Sequence, residues 1–346
     1  MDTIHTLSEL LNNANCQYQI YDLGRRVQPI DNQQFESVEA SQQPYPYPLQ
    51  KHAHLAIAFW NDVAQPWVWF LKLPLDERSL LKQADMGNFI KFVIEATGLS
   101  LNKQPTEEQQ QKLANNPYTF KPQDDKMAMF HSLLRVTLKQ PTSQYYEHTI
   151  HYLEGGLGWN NWQTVGLQGL ADVCARLNEQ QNGVIVRKAL TQLPTEPLYA
   201  LLGCLEHSHL PTKLAERLLE FTEEECKSTD PDLFLISALI RALSGAESTL
   251  LKKALTAILA SERLSHPEVL IGIAGRSWQA LQDTTLASQY LLRLAQTGNQ
   301  SLFNQLFADL VMQPTLRLTM LQILNSEADP ALHKAIAQLQ QSTKQQ

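Results

Sequence analysis

Cysteine is scarce in this 346-residue chain. The four present (Cys16, Cys174, Cys204, Cys226) lie far apart, with no close pair of the kind a metal knuckle or a disulfide framework uses. Reduced thiols in a cytoplasmic protein are the expectation. Basic charge is short as well: 28 Lys and Arg stand against 35 Asp and Glu, a formal net charge of −7, so no overall field draws the molecule to nucleic acid or anionic lipid. Long hydrophobic runs are missing. The longest, residues 233–243, is interrupted by Ser237 and Arg241 and is too short to cross a bilayer. The first residues are polar and acidic and lack the basic start and apolar core of a signal peptide. Glycine clusters once, at Gly155-Gly-Leu-Gly158, after a helical pattern and not after a strand. That context fails a dinucleotide loop and suits a joint. There is no Gly-x-Ser-x-Gly elbow, no cysteine with a histidine frame, and no carboxylate pair of glycosidase spacing. What remains is a folding chain, 43% hydrophobic and 18% charged, in which no catalytic set, metal or cofactor is indicated.

What is present is repetition. From about residue 123 onward one short apolar helix follows another. Three of them open on proline in matching frames, Pro197-Leu-Tyr-Ala, Pro231-Asp-Leu-Phe and Pro267-Glu-Val-Leu, at spacings of 34 and 36. The phase continues to Ser301, after the Gly298-Asn299 turn, and to Pro330. Seven residues into each frame stands a small residue: Cys204, Ala238, Ala274, Ala308 and Ala337. A mid-thirties period with a fixed small position marks a stacked helix-pair array, in which each pair needs its neighbours to bury both apolar faces. Partner helices are predicted near 211–226, 246–261, 284–297 and 314–326, after leading helices near 124–140, 143–154, 160–179 and 183–193. The polar tail from 338 onward is expected to cap the stack.

The first hundred residues have a different texture. Thr6 with Glu9 is a capping-box pattern that starts a short helix. Residues 17–23 alternate with period two, placing Tyr18, Ile20 and Asp22 on one face of a strand, and Pro29 marks a second strand as an edge. Alternating prolines in Pro44-Tyr-Pro-Tyr-Pro48 favour an extended path. Residues 52–60 and 67–73 read as a hairpin across the turn at 61–66, and a helix is predicted over 79–97, ending at Gly98. Thr106 and Gln109 form a second capping box. Asn116-Pro-Tyr-Thr-Phe-Lys-Pro122 is an aromatic strap expected to dock on the protein's own first helices.

The predicted class is therefore α+β: a small antiparallel-sheet head with flanking helices (1–98), an extended connector (99–123), and an all-α, right-handed helix-pair solenoid (124–346).

Several clusters carry candidate chemistry. Gly24-Arg25-Arg26 with Asp22 just before it offers two readings: a fork gripping a carboxylate or phosphate, or a solvated turn with an internal ion pair. Tyr45 and Tyr47, held by prolines, resemble a partner-docking strap, against packing within the head. His52 and His54 share one strand face, half of a metal site at most. Cys204-Leu-Glu-His207-Ser-His209 suggests a zinc half-site, but Cys204 occupies the small-residue slot of the repeat, which favours a core thiol with loop histidines. His148 and His151 are three apart with Glu147 before both, not the four-residue spacing of zinc peptidases.

The signatures Tyr21-Asp-Leu-Gly-Arg-Arg26, Pro44-Tyr-Pro-Tyr-Pro-Leu-Gln-Lys-His52, Trp69-Phe-Leu-Lys-Leu-Pro-Leu-Asp-Glu77, Asn116-Pro-Tyr-Thr-Phe-Lys-Pro122 and Lys126-Met-Ala-Met-Phe-His131 are similar to an uncharacterised bacterial family, domain-of-unknown-function family thirty-five forty-nine. The resemblance spans essentially the whole chain and implies a full-length, single-chain bacterial protein. It brings no activity, cofactor or site residue. The array looks like HEAT-type repeats in style only.

The leading expectation is a non-catalytic adaptor or scaffold for a protein partner, using the array and the head residues Asp22, Arg25, Arg26, Tyr45, Tyr47 and His52. One alternative is an enzyme with a site at the seam of head and array. The other is a nucleic-acid-binding array, disfavoured because residues 159–346 hold 15 basic and 18 acidic residues.

Overall fold

The computed structural model describes residues 4–61, 66–97, 106–114, 116–324 and 329–344. They group into two compact units, Met1–Gln123 with Met312–Pro314, and Asp124–Val311 with Thr315–Gln346.

The first unit runs α1 (Leu7–Asn13), β1 (Gln17–Asp22), β2 (Gln28–Ile30), α2 (Asn32–Glu39), β3 (His52–Trp60), β4 (Trp67–Pro74), α3 (Gln83–Thr97) and α4 (Glu107–Ala114). Both capping boxes form. Thr6 accepts from Glu9 N while Glu9 reaches back, and Thr106 and Gln109 do the same for α4. The strands make one antiparallel sheet in the order β2-β1-β3-β4, with Pro29 on the edge strand. Tyr18 and Ile20 of β1 lie opposite Phe59 and Ile57 of β3, and this face meets Leu7, Leu10 and Leu11 of α1, Phe35 and Val38 of α2, and Phe89 and Val93 of α3 in one apolar core.

Three details differ from the sequence reading. Helix α2 was not expected: its only large apolar residues are Phe35 and Val38, too few to show a period, although Asp31 caps it by accepting from Gln33 N and Gln34 N at 2.9 and 3.1 Å. Helix α3 starts at Gln83 and not near 79, because Ser79 has a left-handed φ of 67° and a Leu75–Leu81 bridge holds the preceding segment as a turn. The strap pairs with the sheet edge: Lys72 N donates to Tyr118 O at 2.7 Å and Phe120 N to Phe70 O at 3.1 Å. An exposed strand edge gains more from backbone pairing than a finished helix surface does. The turn at 62–65 and the helix stop at Gly98 lie outside the described residues.

The second unit is helical throughout its described residues: α5 (Asp124–Thr137), α6 (Tyr146–Leu153), α7 (Leu167–Ala175), α8 (Asn182–Ala189), α9 (Thr195–Leu205), α10 (Thr212–Lys227), α11 (Leu233–Ala242), α12 (Ser248–Leu259), α13 (Pro267–Arg276), α14 (Thr284–Gln296), α15 (Gln300–Met312), α16 (Arg317–Leu324) and α17 (Pro330–Lys344). Helices α5, α7, α9, α11 and α13 pack successively in one layer, and α6, α8, α10, α12, α14 and α16 in a second. This is the stacking that the period implies. The helix expected over 160–179 is instead a 3₁₀ stretch, Trp159–Thr164, followed by α7. Gly158 has φ 76° and Gly166 is extended, so the backbone breaks twice.

The small-residue slot is buried in three frames, at Cys204, Ala238 and Ala274. In α15 the phase slips: Ala308 is exposed and Phe307 is buried, so a large residue fills the place where the earlier frames have a small one. Ala337 is half-buried. Among the described residues no helix is long and apolar enough to cross a membrane.

Candidate functional site

The head residues singled out from sequence come together, but inside. Asp22 ends β1 on the core-facing side and is fully buried. An ionised carboxylate there needs a full set of donors. The chain folds back to supply them: Oδ1 accepts from Gly24 N (3.0 Å) and Tyr45 Oη (2.7 Å), and Oδ2 from Arg25 N (3.1 Å) and Arg26 N (3.3 Å). A Cβ on Gly24 would lie 3.1 Å from Asp22 Oδ1, so the turn is closed tightly round the carboxylate. Burial, and then the Asp22 charge, push the Tyr45 phenol well above its ordinary range, so it remains a donor.

Arg25 is fully buried, and its Nε donates to Pro48 O at 3.0 Å. Gln313 Nε2, in the Met312–Pro314 segment of this unit, donates to the same carbonyl at 2.7 Å. Ser79 accepts Tyr45 N on its carbonyl and donates its hydroxyl to Met312 O at 2.6 Å. Arg26 is 6% exposed. Tyr47 is half-buried, its ring 6.3 Å from Tyr45 and set edge to face. His52 stands apart, with Nδ1 2.8 Å from Gln50 O and its ring 6.2 Å from that of His54.

Two expectations are thereby corrected. Arg25 and Arg26 are neither a solvated turn nor a fork open to a partner, because the backbone N–H groups of their own turn are aimed inward at Asp22. Tyr45 is an internal donor and presents no surface for docking.

The metal candidates are placed separately too. Cys204 is buried beside Cys174 of α7, whose thiol is pushed well above its ordinary range by burial and by hydrogen bonding with Cys204. His148 Nε2 lies 3.0 Å from Thr164 Oγ1. Among the described residues no group of three or more His, Cys, Asp or Glu is arranged to hold a metal ion.

The array buries two carboxylates that carry no sequence motif, Asp172 and Glu206. Glu206 caps the C-terminus of α9 with its side chain 4% exposed. Arg276 of α13 donates Nε to Oε1 at 2.8 Å, Arg241 of α11 places Nε 3.5 Å from Oε2, and the buried His207 Nε2 is 3.4 Å from Oε1. Hydroxyls add ties between frames: Ser244 to Glu206 O, Ser277 to Ile240 O and Ser237 to Glu268 O. One carboxylate thus joins three successive helices of one layer. Arginines in the last turns of α11 and α13 also suit the helix dipoles.

Beside this staple the same layer exposes apolar side chains. Phe234 of α11 is 59% exposed and Ile271 of α13 is 44% exposed. They stand on packed helices, α11 and α13, one residue out of step in the frames set by Pro231 and Pro267. The Phe234 ring lies 5.7 Å from that of His266, the N-cap of α13. Burial, and then the nearby Asp232 charge, raise the phenol of half-buried Tyr199 on α9.

Most other arginines of the array are committed internally: Arg176 to Asp172 and Glu179, Arg217 to Glu220 and Glu224, Arg263 to Cys226 O, Arg293 to Leu259 O, and Arg317 to Val311 O. Neither Phe234 nor Glu206 carries a motif. The only signal was Asp232 capping a helix whose second apolar residue, Phe234, falls off the buried period.

No curated protein and no solved structure matches the chain. A family profile does, over residues 2–340. The chain belongs to the family described as "Protein of unknown function (DUF3549)".

Proposed function

We propose that the chain is a non-catalytic binding protein, an adaptor or scaffold, whose array presents the α9–α11–α13 face to a protein partner. One observation carries this reading: Phe234 and Ile271, 59% and 44% exposed, stand on the packed helices α11 and α13, and Phe234 shares a face of α11 with the partly exposed side chain of Arg241, seven residues on. Aromatic and arginine side chains in one patch are the residue types that dominate interface energetics. Large exposed apolar side chains carried by one layer of packed helices suit a contact surface. The internal commitments of the other arginines weigh against a phosphate-tracking groove. Four free, buried cysteines support placement in a reducing, cytoplasmic compartment, in a bacterial cell as the resemblance implies.

The test is affinity capture of the tagged protein at native expression, with wild type, Phe234→Asp and Ile271→Asp compared. A stoichiometric protein that survives high salt with wild type and is lost from both variants supports the reading. A protein retained equally by all three removes this face from it.

A further inference from the structure

We infer that the α9–α11–α13 face recognises a carboxylate: an acidic side chain of the partner seated on Arg241, with an apolar side chain about three residues away in extended chain lying over Phe234 and Ile271. The inference rests on the adaptor reading above and adds the chemistry of the ligand to it. Two guanidiniums converge on Glu206, and they are not equally used. Arg276 makes a 2.8 Å hydrogen bond and is 19% exposed. Arg241 has only a 3.5 Å approach to Oε2, its Nε is buried without a hydrogen bond, and its side chain is 33% exposed. Glu206 thus hydrogen-bonds one guanidinium and only approaches the other, and the Arg241 fork keeps donors available for a second carboxylate.

That fork is held in place. A Cβ at Gly272 would fall 3.4 and 3.6 Å from Cγ and Cδ of Arg241, so the absence of a side chain on α13 gives the arginine stem its seat. A seated guanidinium loses less entropy on binding than a free one. On either side, Gly203 of α9 and Gly275 of α13 have nothing within 4 Å of where a Cβ would stand. Glycine inside a helix costs about 1 kcal/mol relative to alanine, and at these positions the chain's own packing does not call for it. The helix surface beside Arg241 is left low and open.

The face is polar in one direction. Acids stand at the starts of α11 and α13, and Glu225 from the last turn of α10 reaches the first of these. Asp232 accepts from Phe234 N and Leu235 N, Glu225 accepts from Asp232 N, and Glu268 lies in the first turn of α13. Arg241 and Arg276 occupy the last turns. A bound acid is thus directed to the helix C-terminal end and an apolar group to Phe234. Phe234 and Arg241 are separated by seven residues of α11, about 10 Å at the helical rise, which an extended segment spans in about three residues.

The probe is a phage-displayed library of random peptides selected on the immobilised full-length protein. The expected pool pairs Asp or Glu with an aromatic or aliphatic residue about three positions away. The leading peptide, resynthesised with Gln for its acid, should bind wild type at least about tenfold more weakly. That swap leaves the protein untouched, so it stands even if Arg241→Gln lowers the melting temperature. Arg241→Gln should reproduce the loss, with Arg241→Lys intermediate. A pool that depends on Phe234 but lacks acids overturns carboxylate recognition and leaves the adaptor face standing. No pool, or one insensitive to both Arg241→Gln and Phe234→Asp, overturns the inference, while the capture experiment above decides the adaptor reading independently.

Discussion

Two buried carboxylates, Asp22 of the head and Glu206 of the array, are satisfied in opposite ways. In the head, Asp22 takes its donors from three backbone N–H groups within four residues and from one phenol, Tyr45. In the array, Glu206 takes them from arginines 35 and 70 residues further along the chain. The local solution is closed: every donor faces inward, and nothing is offered to a ligand. The long-range solution is open on one side, because the stacking of repeats sets a second arginine beside a carboxylate that one already satisfies. Residues that looked like a gripping site in sequence are therefore support, and residues that looked like ordinary helix surface are the better candidates for contact.

The largest effect that would sharpen this comparison is expected at Arg25. Arg25→Glu replaces a buried guanidinium with a second carboxylate in the turn that closes on Asp22, and should destabilise the first unit by about 3–5 kcal/mol in denaturant unfolding. A variant as stable as wild type would mean that the guanidinium is not buried in solution.

Next comes Glu39, a buried carboxyl whose oxygens accept from Leu7 N at 2.7 Å and from Ser8 N and Oγ at the start of α1. Burial pushes it up to about 7, outweighing those donors, which act to lower it. The folded state therefore binds the proton more tightly than the unfolded one. Stability from this group is complete below the unfolded value of about 4.5 and is lost as pH rises through about 7. The difference between the two pKa values corresponds to about 3 kcal/mol. Wild type should lose that much relative to Glu39→Gln between pH 4.5 and pH 8. Parallel profiles for the two proteins would refute it.

Removing the array's own carboxylate should cost less, since the arginines it leaves are partly solvated. Glu206→Gln is expected to lower stability by about 2 kcal/mol, and the loss should shrink when Arg276 is also replaced by Gln, in a double-mutant cycle. The smallest effect is at Gly272. A Cβ there would meet Ser237 Oγ at 2.8 Å and press on the Arg241 stem. Gly272→Ala should cost about 1 kcal/mol in thermal unfolding, since the overpacking exceeds the gain in helix propensity.

The degree to which the sequence was legible follows the same division. Period-two alternation at 17–23 and the apolar runs at 52–60 and 67–73 gave the sheet, because each strand buries one face against the same helices. The proline-opened frames gave the array to within a few residues, because the stack repeats its packing. Helix α2 escaped for want of apolar residues, and the slot at Ala308 failed because α15 turns a different face inward. At the site level, Asp22, Arg25, Arg26 and Tyr45 were recognisable as a group, but whether a polar turn lies on a sheet surface or folds into its core is decided by Pro48, Ser79 and Gln313, which are remote in sequence. Glu206 and Arg276 were out of reach for the same reason: only stacking brings residues 70 apart within 2.8 Å.

The most direct measurement is amide hydrogen exchange of the full-length protein, alone and with the captured partner. The account predicts new protection in the first turns of α11 and α13 around Phe234 and Ile271, with the turn at residues 22–26 already slow to exchange in the free protein and unchanged on binding. Protection confined to residues 17–60, with α11 and α13 unaltered, would contradict it and return the binding surface to the head.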